Sequence, residues 1–278
     1  MPDNPQGANS LDFGKNGHEW LPALAALVQE AGAAIMQHYR DVDAARLQDK
    51  GDGSPLTAAD LASHEIICAG LQRIAPDITI ISEENRDNPP VAAGAPFWLV
   101  DPLDGTKEFI SRNGEFTVNI ALLREGVPVL AAVYAPVLDI TYLGQPGVGA
   151  WRIKDGEAPQ PITVAAAHEG ELRVVASRSH SDEKTVALLQ KLPPNRVVSS
   201  GSSLKFCMVA EGSADFYPRL GPTMEWDTAA AQCVLEAAGG RVVQCDGAPF
   251  RYNKPQWRNP YFFAIGAWIP VYDELMAA

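Results

Sequence analysis

Phe97-Trp98-Leu99-Val100-Asp101-Pro102-Leu103-Asp104-Gly105-Thr106-Lys107-Glu108-Phe109 is the stretch around which the rest of the chain can be read. Its apolar start, rich in Trp, Leu and Val, predicts a buried strand that ends in two carboxylates three residues apart, followed by a Gly and a hydroxyl residue. Pro102 has no N–H to give to a ladder, so strand pairing is expected to stop there. Gly105 permits the positive-φ turn that brings Thr106 and its backbone N–H round towards the two aspartates. The expected product is a small polar pocket: two acids, the Leu103 carbonyl, a hydroxyl and a helix start. Hard divalent cations such as Mg²⁺ take that set of oxygens and complete their shell with substrate phosphate. An ordinary strand closed by an Asp-Gly turn fits the same residues.

Composition limits the partners. At 278 residues and a formal charge of −12, the chain can bury a full core but has no basic surplus for a nucleic-acid polymer or an anionic membrane as main partner. A phosphate substrate therefore needs metal ions and a few local basic groups. Cys68, Cys207, Cys233 and Cys245 lack zinc-type spacing and read as reduced thiols of a cytoplasmic protein. Peripheral contact with the inner face of the membrane stays open, as do a monomer and a homodimer. Residues 1–17 are polar, with Pro, Asn and Gly, and read as a flexible tail without the pattern of a signal peptide. The most apolar long run, Val127 to Leu138, is broken by Pro128, Tyr134 and Pro136 and is too short to span a bilayer.

Upstream, Leu21, Leu24, Leu27, Val28, Ala31 and Ile35 recur at helical spacing and predict a first amphipathic helix over His18 to Tyr39. A second runs from about Thr57 to Ile74, where Thr57 and Asp60 stand at capping-box spacing, so Asp60 has a local capping role open to it. Ile78 to Ile81 predicts a short strand that also ends in acids, Glu83 and Glu84. Downstream, Phe116–Arg124, Val129–Tyr134, Asp139–Leu143 and Ala150–Ile153 predict an antiparallel meander. Residues 18–160 thus read as an α+β half with helices on a sheet.

The composition shifts at Pro159 to Pro161. Beyond it, strands at Leu172–Ala176, Arg196–Ser199 and Asp215–Tyr217 alternate with helices at Asp182–Leu192, Ser202–Glu211 and Asp227–Ala238, and further strands follow at Arg241–Gln244 and Tyr261–Ile265. Residues 161–278 therefore read as an α/β half packed with the first as one catalytic unit. Asp227 opens the last long helix, where Asp is favoured as an N-cap for its own sake.

Asp60, Glu83, Asp101, Asp104 and Asp227 all stand at element ends, and five carboxylates that converged would repel severely without a cation. Spacing alone does not establish convergence. Trp98 to Thr106 resembles the first signature of the inositol monophosphatase-like phosphatases, and Trp226-Asp227-Thr228-Ala229-Ala230 with Ala238-Gly239-Gly240 resembles the second. Thr57 to Asp60 and Ser82-Glu83-Glu84 resemble the family's remaining acidic elements in the expected order, while Ala231 stands where many members carry Gly. The resemblance implies a layered αβαβα sandwich of the inositol monophosphatase (sugar phosphatase) type, with α+β and α/β parts. It also implies two or three Mg²⁺ ions on Glu83, Asp101, the Leu103 carbonyl, Asp104 and Asp227, and an attacking water oriented by Asp60 and Thr106 with help from Glu83. The N–H groups of Gly105 and Thr106 would hold a phosphoryl oxygen.

Substrate choice is expected from the second half. Ser177-Arg178-Ser179-His180, Gly201-Ser202-Ser203-Leu204-Lys205 and Arg219 put hydroxyl and basic groups at loop ends, although each can also be a solvated surface side chain. With Asn113 to Ile120, this pattern resembles the 3'(2'),5'-bisphosphate nucleotidase branch of the family. That implies removal of the 3'-phosphate from 3'-phosphoadenosine 5'-phosphate, with Ser202, Lys205 and Arg219 on the nucleotide and His180 near its base or ribose. The rivals are an inositol monophosphatase or broad sugar phosphatase on the same scaffold, and a non-catalytic nucleotide or metal sensor.

Overall fold

Side chains along the apolar strands alternate between two separate cores, and that alternation stacks the chain in layers. The structure, a computed structural model, describes residues 19–40, 48–49, 55–56, 58–167, 170–177 and 183–276. Helix α1 (Leu21–Arg40) is followed by the short strands β1 (Gln48–Asp49) and β2 (Pro55–Leu56), helix α2 (Ala58–Ile74), and strands β3 (Thr79–Ser82) and β4 (Phe97–Asp104). Helix α3 (Thr106–Ile110) leads into β5 (Thr117–Arg124), β6 (Val127–Ala135), β7 (Ile140–Gln145), β8 (Gly149–Lys154) and β9 (Gln160–Ile162). Then come β10 (Leu172–Ser177), α4 (Glu183–Lys191), β11 (Asn195–Ser200), α5 (Leu204–Ala210), β12 (Phe216–Arg219), α6 (Ala229–Ala237), β13 (Arg241–Gln244), β14 (Phe262–Ile265) and α7 (Tyr272–Met276).

Strands β3 to β9 form a seven-stranded sheet in sequence order, parallel between β3 and β4 and antiparallel from there on. The other large sheet runs β11-β10-β12-β14-β13. Trp98, Val100, Ile120 and Leu122 face α1 and α2, where they meet Leu24, Val28, Ile67 and Leu71. Phe97, Leu99, Ala121 and Val133 face the other way, onto α5 and α6 through Phe206, Val209, Cys233 and Val234. The outer face of the five-stranded sheet is covered by α4 and α7 through Leu188, Leu192 and Leu275 on Val174, Phe216 and Phe263. The result is the five-layer αβαβα sandwich, and each fully buried large apolar side chain contributes about 1.5–3 kcal/mol to holding it. Helix α6 lies so close on β7 that a Cβ at Gly144 would stand 2.6 Å from the Val234 Cα, so only Gly admits the approach.

Several boundaries differ from the sequence expectations for local reasons. Pairing of β4 with β5 lapses after Asp101↔Asn119, as Pro102 requires, but resumes at Asp104↔Thr117 rather than stopping. The Pro102 carbonyl is taken instead by Ser63 Oγ of α2 at 2.8 Å. Helix α5 begins at Leu204, because Ser202 adopts φ 53°. Helix α6 begins at Ala229 with Thr228 as N-cap, and Asp227 Oδ2 accepts the Met224 N–H at 2.9 Å, so Asp227 is not the N-cap. The composition shift at Pro159–Pro161 falls on β9, the edge strand of the first sheet. The expected tail at 1–17, Thr57 with its capping box, and Arg178, Ser179 and His180 lie outside the described residues.

Candidate active site

Strand pairing brings the first two acids together. Ser82 pairs with Val100 across the parallel β3/β4 ladder, and Glu83 N–H continues it by donating to the Val100 carbonyl at 3.2 Å. Glu83 and Asp101 therefore emerge side by side at the carboxyl ends of two parallel strands, where open sheets place their ligands. Asp227 arrives from the turn before α6. Carboxylate oxygens of Glu83, Asp101 and Asp227 lie within 4.8 Å of one another. Burial, then the charges of Glu83, Asp104, Asp227 and Asp60, raises the Asp101 pKa well above the usual carboxylate range. Burial, then Asp104 and Glu83, does the same to Asp227. Three carboxylates this close are a hard-oxygen donor set, and a divalent cation would offset their mutual repulsion. The residues present fit such an ion, and Glu83, Asp101 and Asp227 would hold it.

Asp60 is fully buried on α2, and its charge acts on Asp101. Gly105 has the expected left-handed backbone, φ 96°, and Thr106 is the first residue of α3. Asp101 Oδ1 accepts the Leu103 N–H at 3.1 Å, which bends the chain around the acid. Asp104 stands apart from the close triad: its Oδ2 accepts the Ser202 hydroxyl at 2.5 Å and the Ser203 N–H at 2.6 Å. Burial raises its pKa, and those bonds with the nearby Lys205 charge act against the rise.

All these acids except Asp60 border one cavity of about 250 Å³, together with Leu103, Gly105, Thr106, Ser202, Lys205 and Arg219. Lys205 is 4% exposed, and burial lowers its pKa to about 8, with Asp104 opposing the fall and Arg219 adding to it. Its Nζ donates to the Ser202 carbonyl at 2.5 Å and lies 5.3 Å from the Tyr217 ring centre. Arg219 Nη2 donates to the Pro222 carbonyl at 3.0 Å, while its enclosed Nε has no protein acceptor. Two mutually repelling cations therefore share a cavity with the carboxylates.

Sequence reasoning missed several residues here. Tyr217, Phe206 and Phe262 pack with ring centres 5.2–5.7 Å apart and border the cavity; their spacing signals only core. Ser203, Thr117 and Asn119 hydrogen-bond behind the Asp104 carboxylate, and the tandem Ser202-Ser203 hydroxyls were the one available signal.

The chain is similar to known proteins over most of its length. The model of the inositol monophosphatase family matches residues 16–260. The 3'(2'),5'-bisphosphate nucleotidase CysQ of Escherichia coli (strain K12) is 47% identical over 244 residues, 87% of this chain and 98% of that protein. Its counterpart from Salmonella typhimurium is 47% identical over 247 residues, with the same two shares. The crystal structure of CysQ from Bacteroides thetaiotaomicron superposes with a TM-score of 0.77 at 39% identity, covering 89% of this chain and 97% of that one.

Proposed function

This chain belongs to the inositol monophosphatase family, and we propose that it is the 3'(2'),5'-bisphosphate nucleotidase of that family, a Mg²⁺-dependent phosphatase that converts 3'-phosphoadenosine 5'-phosphate to AMP and phosphate. The observation that carries the reading is the shared cavity: a carboxylate triad and, bordering the same space, a buried Lys205 beside Arg219, whose Nε has no protein acceptor. A substrate with two phosphates gives both sets of groups a partner. Bisphosphate nucleotidases at 47% identity over nearly their whole length support the same choice. An inositol or sugar monophosphate leaves Lys205 and Arg219 without a role, so that alternative is not favoured. A pure sensor has no use for Thr106 beside the acids.

In this reading Glu83, Asp101, Asp104, Asp227 and the Leu103 carbonyl would hold two or three Mg²⁺ ions, which would supply polarisation of the phosphoryl oxygens and a lowered pKa of water. Asp60 and Thr106 orient the attacking water, and Glu83 acts on the same water. The Gly105 and Thr106 N–H groups hold a phosphoryl oxygen. The water oxygen bonds to phosphorus, the bond from phosphorus to the ribose 3'-oxygen breaks, and that oxygen leaves as the hydroxyl of AMP. Ser202, Lys205 and Arg219 bind the nucleotide at its 5'-phosphate side, with His180 near the base or ribose. Residues 18–160 supply most of the metal side, and 161–278 supply Asp227 to it together with most of the substrate side. All four cysteines are free thiols, which supports a reducing, cytoplasmic setting. Among the described residues no helix is long and apolar enough to cross a membrane, and a peripheral attachment has no support.

Metal removal tests the proposal. With Mg²⁺, the purified chain is expected to release one phosphate and one AMP per 3'-phosphoadenosine 5'-phosphate consumed. Chelation should stop release, and added Mg²⁺ should restore it. Release that persists through exhaustive chelation would remove the metal site from the mechanism.

A further inference from the structure

We infer that Thr117 and Asn119, on β5 of the seven-stranded sheet, set the preference for a bisphosphate by fixing the turn that carries Ser202 and Lys205 to the cavity. The inference rests on the proposed bisphosphate nucleotidase function and names two positioning residues for it. Thr117 is 0% exposed, Asn119 1% and Ser203 1%, and none of the three borders the cavity.

The protons in this network can be counted. Ser203 Oγ donates to Asn119 Oδ1 at 2.8 Å, and Asn119 Nδ2 donates to Thr117 Oγ1 at 3.2 Å. Those two bonds fix the amide orientation and use the Ser203 proton. A carboxylate only accepts, so Ser202 gives its proton to Asp104 Oδ2 at 2.5 Å. The Thr117 proton is then the one left for its contacts with Ser202 Oγ at 2.6 Å and Ser203 Oγ at 2.8 Å. Donors run one way, from Asn119 through Thr117 and Ser202 to Asp104. The arrangement joins two stretches far apart in sequence, and each of its three hydroxyl protons is committed.

Ser202 needs that support. Its φ of 53° lies in the left-handed region, which a non-glycine residue holds only when its surroundings impose it. The Ser202 carbonyl in turn accepts from Lys205 Nζ at 2.5 Å, so the placement of the cation follows the placement of the turn. Without the Thr117 hydroxyl, the buried Asn119 Nδ2 loses its acceptor and Ser202 Oγ its donor. The turn then relaxes and takes Lys205 with it, while Glu83 and Asp101 stay at the β3/β4 ladder and Asp227 in the turn before α6.

The test is Thr117→Val, which keeps shape and removes the hydroxyl, assayed with Mg²⁺ on 3'-phosphoadenosine 5'-phosphate and on adenosine 3'-phosphate, which lacks the second phosphate. We expect KM for the bisphosphate to rise about tenfold, with kcat and the KM for the monophosphate within about twofold of wild type. Thr117→Ser should restore the wild-type KM. Equal rises for both substrates, or no change in a folded variant, would overturn the assignment. Should Thr117→Val not fold, Ser203→Ala removes the donor to Asn119, and the same split is expected; its absence there counts equally against the inference. A wild-type chain that treats both substrates alike removes the function itself, a failure read without any variant.

Discussion

Asp101→Asn is expected to lower metal-dependent turnover by on the order of 10³-fold, and at the same time to make the metal-free chain more stable at neutral pH. Asp101 is 1% exposed and faces the charges of Glu83, Asp104, Asp227 and Asp60. Its folded pKa is raised well above the unfolded value, by burial first and by those charges second. A carboxyl group so raised stabilises the fold fully below its unfolded pKa, and that contribution is lost as pH rises through the folded pKa. Metal-free wild type should therefore melt at a lower temperature as the pH is raised above the ordinary carboxylate range. The neutral amide removes that dependence, each kcal/mol corresponding to roughly 2–4 °C in a chain of this size. Saturating Mg²⁺ should raise the melting temperature of wild type far more than that of the variant. Thermal melts with and without metal, beside a turnover assay, check both halves. A variant that loses activity and also melts lower without metal would show that Asp101 serves the fold and not the ion.

Lys205→Met is expected to raise KM for the bisphosphate on the order of 30-fold, and to leave a monophosphate substrate little changed, because it truncates one partner of a desolvated charge pair. Met fills the same volume in the first turn of α5 and keeps the packing over Tyr217. The pH profile supplies an independent sign. With the pKa brought down to about 8 by burial, the cation is present below that pH and is lost above it. Wild-type KM for the bisphosphate should climb as pH passes 8, and the Met variant should lack this rise. Steady-state kinetics between pH 6.5 and about 9 would reveal it. A variant with the wild-type pH profile would dissociate Lys205 from phosphate binding.

Much of this architecture was legible in the sequence because the apolar periods are regular. The α1 positions Leu21, Leu24, Leu27, Val28, Ala31 and Ile35 are all buried, and β4, β5, β6 and β7 fall where alternation put them. The acids of the triad were legible as element ends, but their convergence was expected only from the family resemblance, because it depends on the parallel pairing of β3 with β4. The place of Asp104 was not legible, since its bonds to Ser202 and Ser203 span about a hundred residues and leave no local pattern. Likewise Tyr217 and Phe206 carry only a core signature, and whether a core aromatic also borders a cavity depends on how the two sheets meet. Asp227 looked like a cap because acids favour that position, but its Oδ2 is bound to the Met224 N–H and Thr228 takes the cap.

The central claim is that the cations sharing the cavity with the carboxylate triad select a second phosphate. Its most direct test is kcat/KM for 3'-phosphoadenosine 5'-phosphate against inositol 1-phosphate, measured with Mg²⁺ on one preparation. The account predicts a preference for the nucleotide of at least about two orders of magnitude, as expected for one desolvated charge pair or more. Equal efficiency, or a preference for inositol 1-phosphate, would contradict it and return Lys205 and Arg219 to a structural role.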